Sequence, residues 1–404
     1  GVPSGDSRLV VYASSNADVL IAVEFESGTT RWRYDAGSNL NELTGAAVTA
    51  SCVVVVGTYY NINDNNVNFA ACIDPATGRS RFNATFSQTY TSGGVMSATE
   101  DPHTGGVVFV TSQLIGKLLP TSILGWVYAG NIQYDQVIAP TYVVDPGTPH
   151  ARILAYASGG GYYNTFTMLF TSTGGRERFF PAASQLYDGV LPFAVVPQPG
   201  SADNVSLAVV DGKLLYLADA QTGAITWRSG LPGTGVASMN NYRSGQVFYV
   251  GGRIVVARSS GVYFFRPDTG DADTAVTIGD LHSLCVPSSQ GIGPTGWVVR
   301  ETLVIYDVDC VYVFDGATAR AARVLGGIGG KPVWSGGRVV VSNLQGAILG
   351  LDPATGTIAW SAPPPPPVNS NGNKGSAVGS SGASTVYTCS SNGCIVAIHG
   401  RTGQ

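Results

Sequence analysis

Six cysteines carry the first chemical signal in this sequence: Cys52, Cys72, Cys285, Cys310, Cys389 and Cys394, an even number at short spacings. There is no CxxC motif and no Cys/His cluster, so the donor pattern of a zinc site is missing and oxidation to disulfides is the chemistry that suits them. Cys389 and Cys394 bracket the turn-like Ser390-Ser391-Asn392-Gly393 between two β-patterned runs. Cys52 and Cys72 begin and end the runs CVVVV and NFAAC, which read as a hairpin around a polar loop at 58–67. Antiparallel partners keep a constant index sum, so if Gly57 faces Asn68, Cys52 faces roughly Cys72. Cys285 and Cys310 pair by elimination. Two sequons, Asn83-Ala84-Thr85 and Asn204-Val205-Ser206, mark Asn83 and Asn204 as glycosylation candidates. Disulfides and sequons together point to an oxidising, extracellular compartment.

Other chemistry finds less material. The four histidines, His103, His150, His282 and His399, form no i, i+4 pair and no HExxH. The stretch Asn61-Ile62-Asn63-Asp64-Asn65-Asn66 is rich in oxygen donors that suit Ca²⁺, but it lacks the DxDxDG…E spacing. No GxSxG elbow is present. Asp74, Asp219, Asp268 and Asp352 recur at one position of a repeated pattern, which marks them as turn formers rather than a carboxylate pair. Tyr59, Tyr60, Tyr90, Tyr162 and Tyr163 fall in hairpin loops, where exposed rings could stack on sugars.

The elements that hold these residues come from one repeat. An apolar, β-branched run is followed by a polar turn, a second apolar run ending near Asp, then Thr-Gly and an aromatic residue. The clearest copies are SLAVVDGKLLYLADAQTGAITW, ending at Trp227, and RVVVSNLQGAILGLDPATGTIAW, ending at Trp360. The first copy ends at Trp32, the second at Phe82 and the fourth at Phe179; a third, near 94–131, is degenerate, with Trp126 in its aromatic slot. The sixth carries Asp268 and Gly270, and a seventh has Ala319 where the turn glycine is expected. A spacing of about 45 residues holds four short strands. Asp and Thr bond their own turn backbone, Gly takes positive φ, and the aromatic ring covers the neighbouring sheet. Sheets apolar on both faces must stack around an axis, so the expected fold is all-β: a single β-propeller over residues 1–404, with about eight four-stranded blades and seven or nine as the neighbouring counts. The first and last copies together supply about six strands where one closing blade needs four, and surplus strands could pair with another subunit.

The D-x-x-T-G-x-x-x-W motif after such a hairpin resembles the PQQ-like repeat of quinoprotein-type β-propellers, over nearly the whole chain. That family includes quinone-dependent dehydrogenases and non-enzymatic members. For an enzyme, the resemblance implies a vicinal Cys-Cys disulfide against the quinone, a Ca²⁺ site and a catalytic Asp. No two cysteines are adjacent here and no CxxCH haem motif occurs, so the resemblance runs to the non-enzymatic members and no cofactor is expected.

Composition agrees with a packed, secreted fold. Apolar residues make up 44% and charged residues 12%, with 53 glycines and 22 prolines spread over 404 residues. Net charge is −4 with four lysines, which removes nucleic acid and anionic membrane surfaces as partners. No apolar stretch is long enough to span a bilayer, and the opening GVPSGD reads as a mature terminus. Pro363, Pro364, Pro365, Pro366 and Pro367 form a polyproline run within a surface loop at 362–373, suited to docking or to modification. The reading is a secreted, non-catalytic propeller that binds protein or glycan in an extracellular matrix, surface coat or filament. A quinoprotein-like or carbohydrate-active enzyme is the alternative.

Overall fold

The computed structural model describes residues 9–14, 19–24, 29–35, 40–49, 51–60, 66–87, 95–101, 104–111, 114–129, 141–142, 152–158, 164–170, 176–180, 193–198, 205–211, 214–219, 224–232, 246–288, 295–325, 327–328, 332–363, 377–379, 385–389 and 395–404. Each apolar run of the repeat is a strand, and consecutive strands pair antiparallel. Sheet 1 holds β1 (Leu9–Ser14), β2 (Val19–Glu24) and β3 (Thr30–Asp35). Sheet 2 holds β4 (Leu40–Val48), β5 (Val53–Tyr60), β6 (Asn66–Ile73) and β7 (Ser80–Ser87). Sheet 3 is β8 (Val95–Asp101), β9 (Gly106–Thr111), β10 (Leu114–Leu118) and β11 (Leu124–Ala129). Sheet 4 is β12 (Thr141–Tyr142), β13 (Arg152–Ser158), β14 (Asn164–Phe170) and β15 (Arg176–Phe180). Sheet 5 is β16 (Phe193–Pro197), β17 (Val205–Asp211), β18 (Leu214–Asp219) and β19 (Ile225–Gly230). Sheet 6 is β20 (Gln246–Val250), β21 (Arg253–Arg258), β22 (Gly261–Phe265) and β23 (Ala272–Thr277), followed by helix α1 (Ile278–Leu284). Sheet 7 is β24 (Thr295–Val299), β25 (Thr302–Asp307), β26 (Cys310–Asp315) and β27 (Thr318–Arg323). Sheet 8 is β28 (Val333–Ser335), β29 (Arg338–Ser342), β30 (Ile348–Leu351) and β31 (Ile358–Ala362), and sheet 9 is β32 (Ala377–Gly379), β33 (Thr385–Cys389) and β34 (Ile395–His399). Seven of the sheets are four-stranded. The chain divides into two compact units, Gly1–Gly189 with Ser201–Asn204, and Val190–Gly200 with Val205–Gln404.

The middle of the second strand of a sheet is a continuous apolar run because both of its faces are covered. On β5, Val53 and Val55 pack with Leu20, Ala22 and Trp32 of sheet 1, while Val54 and Val56 pack with Val107, Phe109 and Leu118 of sheet 3. The same alternation on β21 sends Ile254 and Val256 toward sheet 5 and Val255 and Ala257 toward sheet 7. Each seam is therefore a layer of interlocked aliphatic side chains, and a one-residue slip would move every one of them to the wrong seam.

The tryptophan at the end of the repeat does not serve its own sheet. Trp32 Nε1 donates to Pro75 O of sheet 2 at 2.8 Å, Trp227 to Pro267 O of sheet 6 at 2.9 Å, and Trp360 to Gly400 O of sheet 9 at 2.9 Å. Each ring lies against the Thr-Gly turn of the next sheet. Gly78 has φ +71, and a Cβ there would come within 2.6 Å of the Trp32 ring. The turn glycine is thus required twice, for its backbone and for the flat contact. The turn Asp works locally: Asp74 Oδ1 accepts from Ala76 N at 2.8 Å and Thr77 N at 3.0 Å.

Two details differ from the expected repeat, and a third agrees with it. In sheet 7 the turn glycine is not replaced by Ala319. The hairpin tightens to Asp315↔Thr318, Gly316 takes φ +59, and Ala319 lies inside β27 opposite Phe314. In sheet 4 the slot beside the bulge holds Arg178, opposite Met168, and Phe179 is one residue further on, opposite Thr167. In sheet 3, Trp126 occupies the slot, opposite Lys117 and beside a bulge, as Trp227 does opposite Leu217.

Candidate interaction surface

At one end of sheets 7 and 8, the end where the second strand turns into the third, the chain builds a rigid polar frame. Helix α1 starts from a capping box: Thr277 Oγ1 accepts from Asp280 N at 3.2 Å, and Asp280 Oδ2 accepts from Thr277 N at 2.9 Å. The Thr277 hydroxyl and N–H hold the Asp280 carboxyl below its ordinary value. The helix closes at Cys285, whose N–H donates to Leu281 O at 3.1 Å, and the Cys285–Cys310 disulfide ties that end to β26 with a Cα–Cα distance of 5.9 Å.

The β25–β26 turn brings two carboxylates beneath the helix. Val308 holds φ +55, unusual for a β-branched residue, with Asp307 and Asp309 buried on either side. Asp309 Oδ1 accepts from Ser288 N at 2.9 Å, and its other oxygen lies 3.8 Å from Arg323 Nε. Arg323 also donates to Val286 O. His282 Nε2 is 3.4 Å from Asp307 Oδ2. Tyr312 donates its hydroxyl to Cys285 O at 2.9 Å; burial, then the charges of Asp307 and Asp309, push it up to about 12, so it remains a neutral donor across the physiological range.

On this frame stand side chains that burial would normally claim. Val286 is 64% exposed, Leu325 72%, Leu344 61% and Leu284 50%. Their backbones are pinned: Asn343 Nδ2 donates to Leu325 O at 3.0 Å, and Leu344 N donates to Gly327 O at 3.1 Å. Single exposed leucines are ordinary, but a group of them held on a locked frame is the form an interface takes. Removing the lock tests the frame. Cys285→Ala with Cys310→Ala is expected to lower stability by about 3 kcal/mol and to speed amide exchange in 278–286, read by denaturant titration and hydrogen exchange.

A family model described as outer membrane protein assembly factor BamB matches residues 283–404, which include the exposed apolar side chains of this surface but not the start of helix α1. Among solved structures, BamB from Moraxella catarrhalis aligns with a TM-score of 0.50 at 16% identity, covering 98% of this chain and 94% of its own. The fold is a β-propeller, and the family match to a PQQ-like repeat protein covers its residues 283–404. Sqt1 from Saccharomyces cerevisiae aligns with a TM-score of 0.55 at 10% identity, covering 91% of the propeller and 97% of its own chain. The dihydro-heme d1 dehydrogenase NirN, in complex with DHE, reaches 0.50 at 12% identity, covering 99% and 73%. These identities speak for the fold, which hosts unrelated functions. No curated protein matches the sequence.

The propeller places the residues singled out in the sequence as follows. Cys52 and Cys72 are joined, Cα–Cα 5.3 Å, although the β5–β6 ladder sets Val54 rather than Cys52 opposite Cys72. The ladder continues to Tyr60↔Asn66, further into the polar loop than expected, and the bridge is diagonal. Cys389 ends β33, and Cys394 lies outside the described residues. Asn83 is exposed on β7, its amide donating to Ser80 Oγ at 3.3 Å. Pro363 follows β31 and is exposed. Asn204, Pro364, Pro365, Pro366, Pro367, residues 61–65, His103 and His150 lie outside the described residues. Among the described residues no three His, Cys, Asp or Glu side chains come together as a metal site, and no helix is long and apolar enough to cross a membrane. The two described disulfides span 20 and 25 residues, which does not fit the vicinal pair that quinone-dependent dehydrogenases set against PQQ. Sequence reading missed Asp307, Asp309 and the exposed leucines; the acidic pair of DVDC beside a cysteine was the available signal.

Proposed function

We propose that this propeller is a non-catalytic, extracellular binding module, a part of a matrix, surface coat or filament, that holds a protein partner against Leu284, Val286, Leu325 and Leu344. The observation that carries it is the group of exposed apolar side chains on a disulfide-locked frame. Asp309 is engaged with Ser288 and Arg323, and Asp307 with His282, contacts that brace the turn and favour a scaffold over carboxylate-pair catalysis. The family description, an assembly factor, and the disulfides support an interaction role in an oxidising compartment. Glycan chains on Asn83 and Asn204 and a modified proline run would belong to the same coat. β1 and β34 are edge strands among the described residues, and strand pairing to another copy through them is a second route to assembly.

The test is Leu325→Glu with Leu344→Glu. Both residues are mostly exposed, so the variant is expected to keep the wild-type melting temperature while its retention in the extracellular material of the secreting cells falls at least tenfold. Equal retention of a folded variant would remove this surface from the reading.

A further inference from the structure

We propose that Arg258 is the cation of an oxyanion-binding site in the seam between sheets 5 and 6. Arg258 ends β21 and continues the row of Ile254 and Val256, which packs against Ala208, Val210, Leu215 and Leu217 of sheet 5. It is 6% exposed. Four other arginines that begin, end or flank strands of this unit have carboxylates: Arg253 pairs with Asp273 at 2.9 Å, Arg266 with Asp271 at 2.5 Å, Arg323 with Asp309 at 3.8 Å and Arg338 with Asp352 at 3.0 Å, while the exposed Arg300 lies over the Trp334 ring. Arg258 is more buried than any of them and has no ion pair among the described residues, and its Nη1 is buried without a hydrogen-bond partner.

A buried guanidinium without a counter-ion is costly, and arginine does not escape by losing its proton at neutral pH. Burial does lower its pKa, opposed by the nearby Tyr263. The seam also offers hydroxyls. Tyr263 donates to Ser260 Oγ at 2.9 Å, which leaves the Ser260 proton free to be given to a ligand. Ser259, next in the chain, is exposed, and Arg258 itself keeps 6% of its surface open. A planar fork of donors beside a hydroxyl suits two oxygens of one anion, a carboxylate or a sulfate. Such a site would give the propeller a point of recognition for acidic side chains or for anionic sugars, separate from the apolar ridge.

The experiment uses the whole chain with sodium acetate, sodium sulfate and sodium chloride at equal ionic strength. A wild-type chain in acetate or sulfate at about a hundred times the dissociation constant should gain about a hundredfold in its folding constant, seen as a rise in Tm that grows with the logarithm of the anion concentration. Arg258→Met should melt at or above wild type in chloride, since it removes an uncompensated charge, and should lose the anion-dependent rise. If that variant fails to fold, titration of the wild-type Arg258 Nε–H resonance gives the same reading. Response to acetate points to carboxylate ligands, and response to sulfate points to sulfated ones. A Tm rise of equal size in wild type and Arg258→Met, or an Arg258 resonance unmoved by either anion, overturns the proposal.

Discussion

Lys117→Met is expected to cost about 3–5 kcal/mol of stability, read by denaturant titration. Lys117 and Asp101 are the most deeply buried ion pair among the described residues, their side chains 1% and 0% exposed, with Nζ 2.5 Å from Oδ2. The same oxygen accepts from Thr104 Oγ1 at 2.7 Å. The pair links the first and third strands of sheet 3. Removing only the ammonium leaves a carboxylate in a dry seam, which costs more than the pair itself contributes. Asp101→Asn with Lys117→Met should therefore be more stable than Lys117→Met alone, because the neutral amide still accepts from Thr104. If the double variant were the weaker of the two, the stranded charge would not be the cause of the loss.

Sheet 3 also shows what the sequence could and could not tell. The segment Asp101-Pro102-His103-Thr104-Gly105 has the same form as Asp74-Pro75-Ala76-Thr77-Gly78. Gly105 N donates to Asp101 O at 2.8 Å, as Gly78 N does to Asp74 O at 2.9 Å. Yet in sheet 2 this turn joins the third and fourth strands, and in sheet 3 it joins the first and second. Turn chemistry is local and can be read from five residues; which strands it joins is decided by the seams. The repeat was legible because strands covered on both faces must be apolar throughout. The Asp307–Asp309 turn was not, because the stability of those buried charges depends on Ser288, His282 and Arg323, which lie 14 to 25 residues away. The exposure of Leu325 and Leu344 was equally hidden, since a leucine in a turn is buried or bare according to what the neighbouring sheet provides.

Trp32→Ala should cost about 3–5 kcal/mol, the range for a large buried aromatic cut to a methyl. The ring is buried, packs with Leu20, Val53 and Val55, lies on Gly78 and donates to Pro75 O. The indole and its acceptor are 43 residues apart, and the same contact recurs in the chain at separations of 40 and 40. That periodicity makes the tryptophan a coupling between sheets rather than a part of one sheet. Its loss should therefore change cooperativity as well as stability: amides of 19–35 should exchange ahead of those in 53–73, where wild type protects both together. Trp32→Phe separates the two parts of the contact. It keeps an aromatic face on Gly78 and loses only the Nε1 hydrogen bond and some volume, so a cost of about 1–2 kcal/mol is expected. Gly78→Ala attacks the same contact from the other side, through an unfavourable φ and a Cβ driven into the ring. In a double-mutant cycle the two changes should be far from additive, because once the ring is gone the added methyl has nothing left to strike. Additive costs would mean that ring and glycine serve their own sheets independently, and the coupling would have to lie elsewhere in the seam.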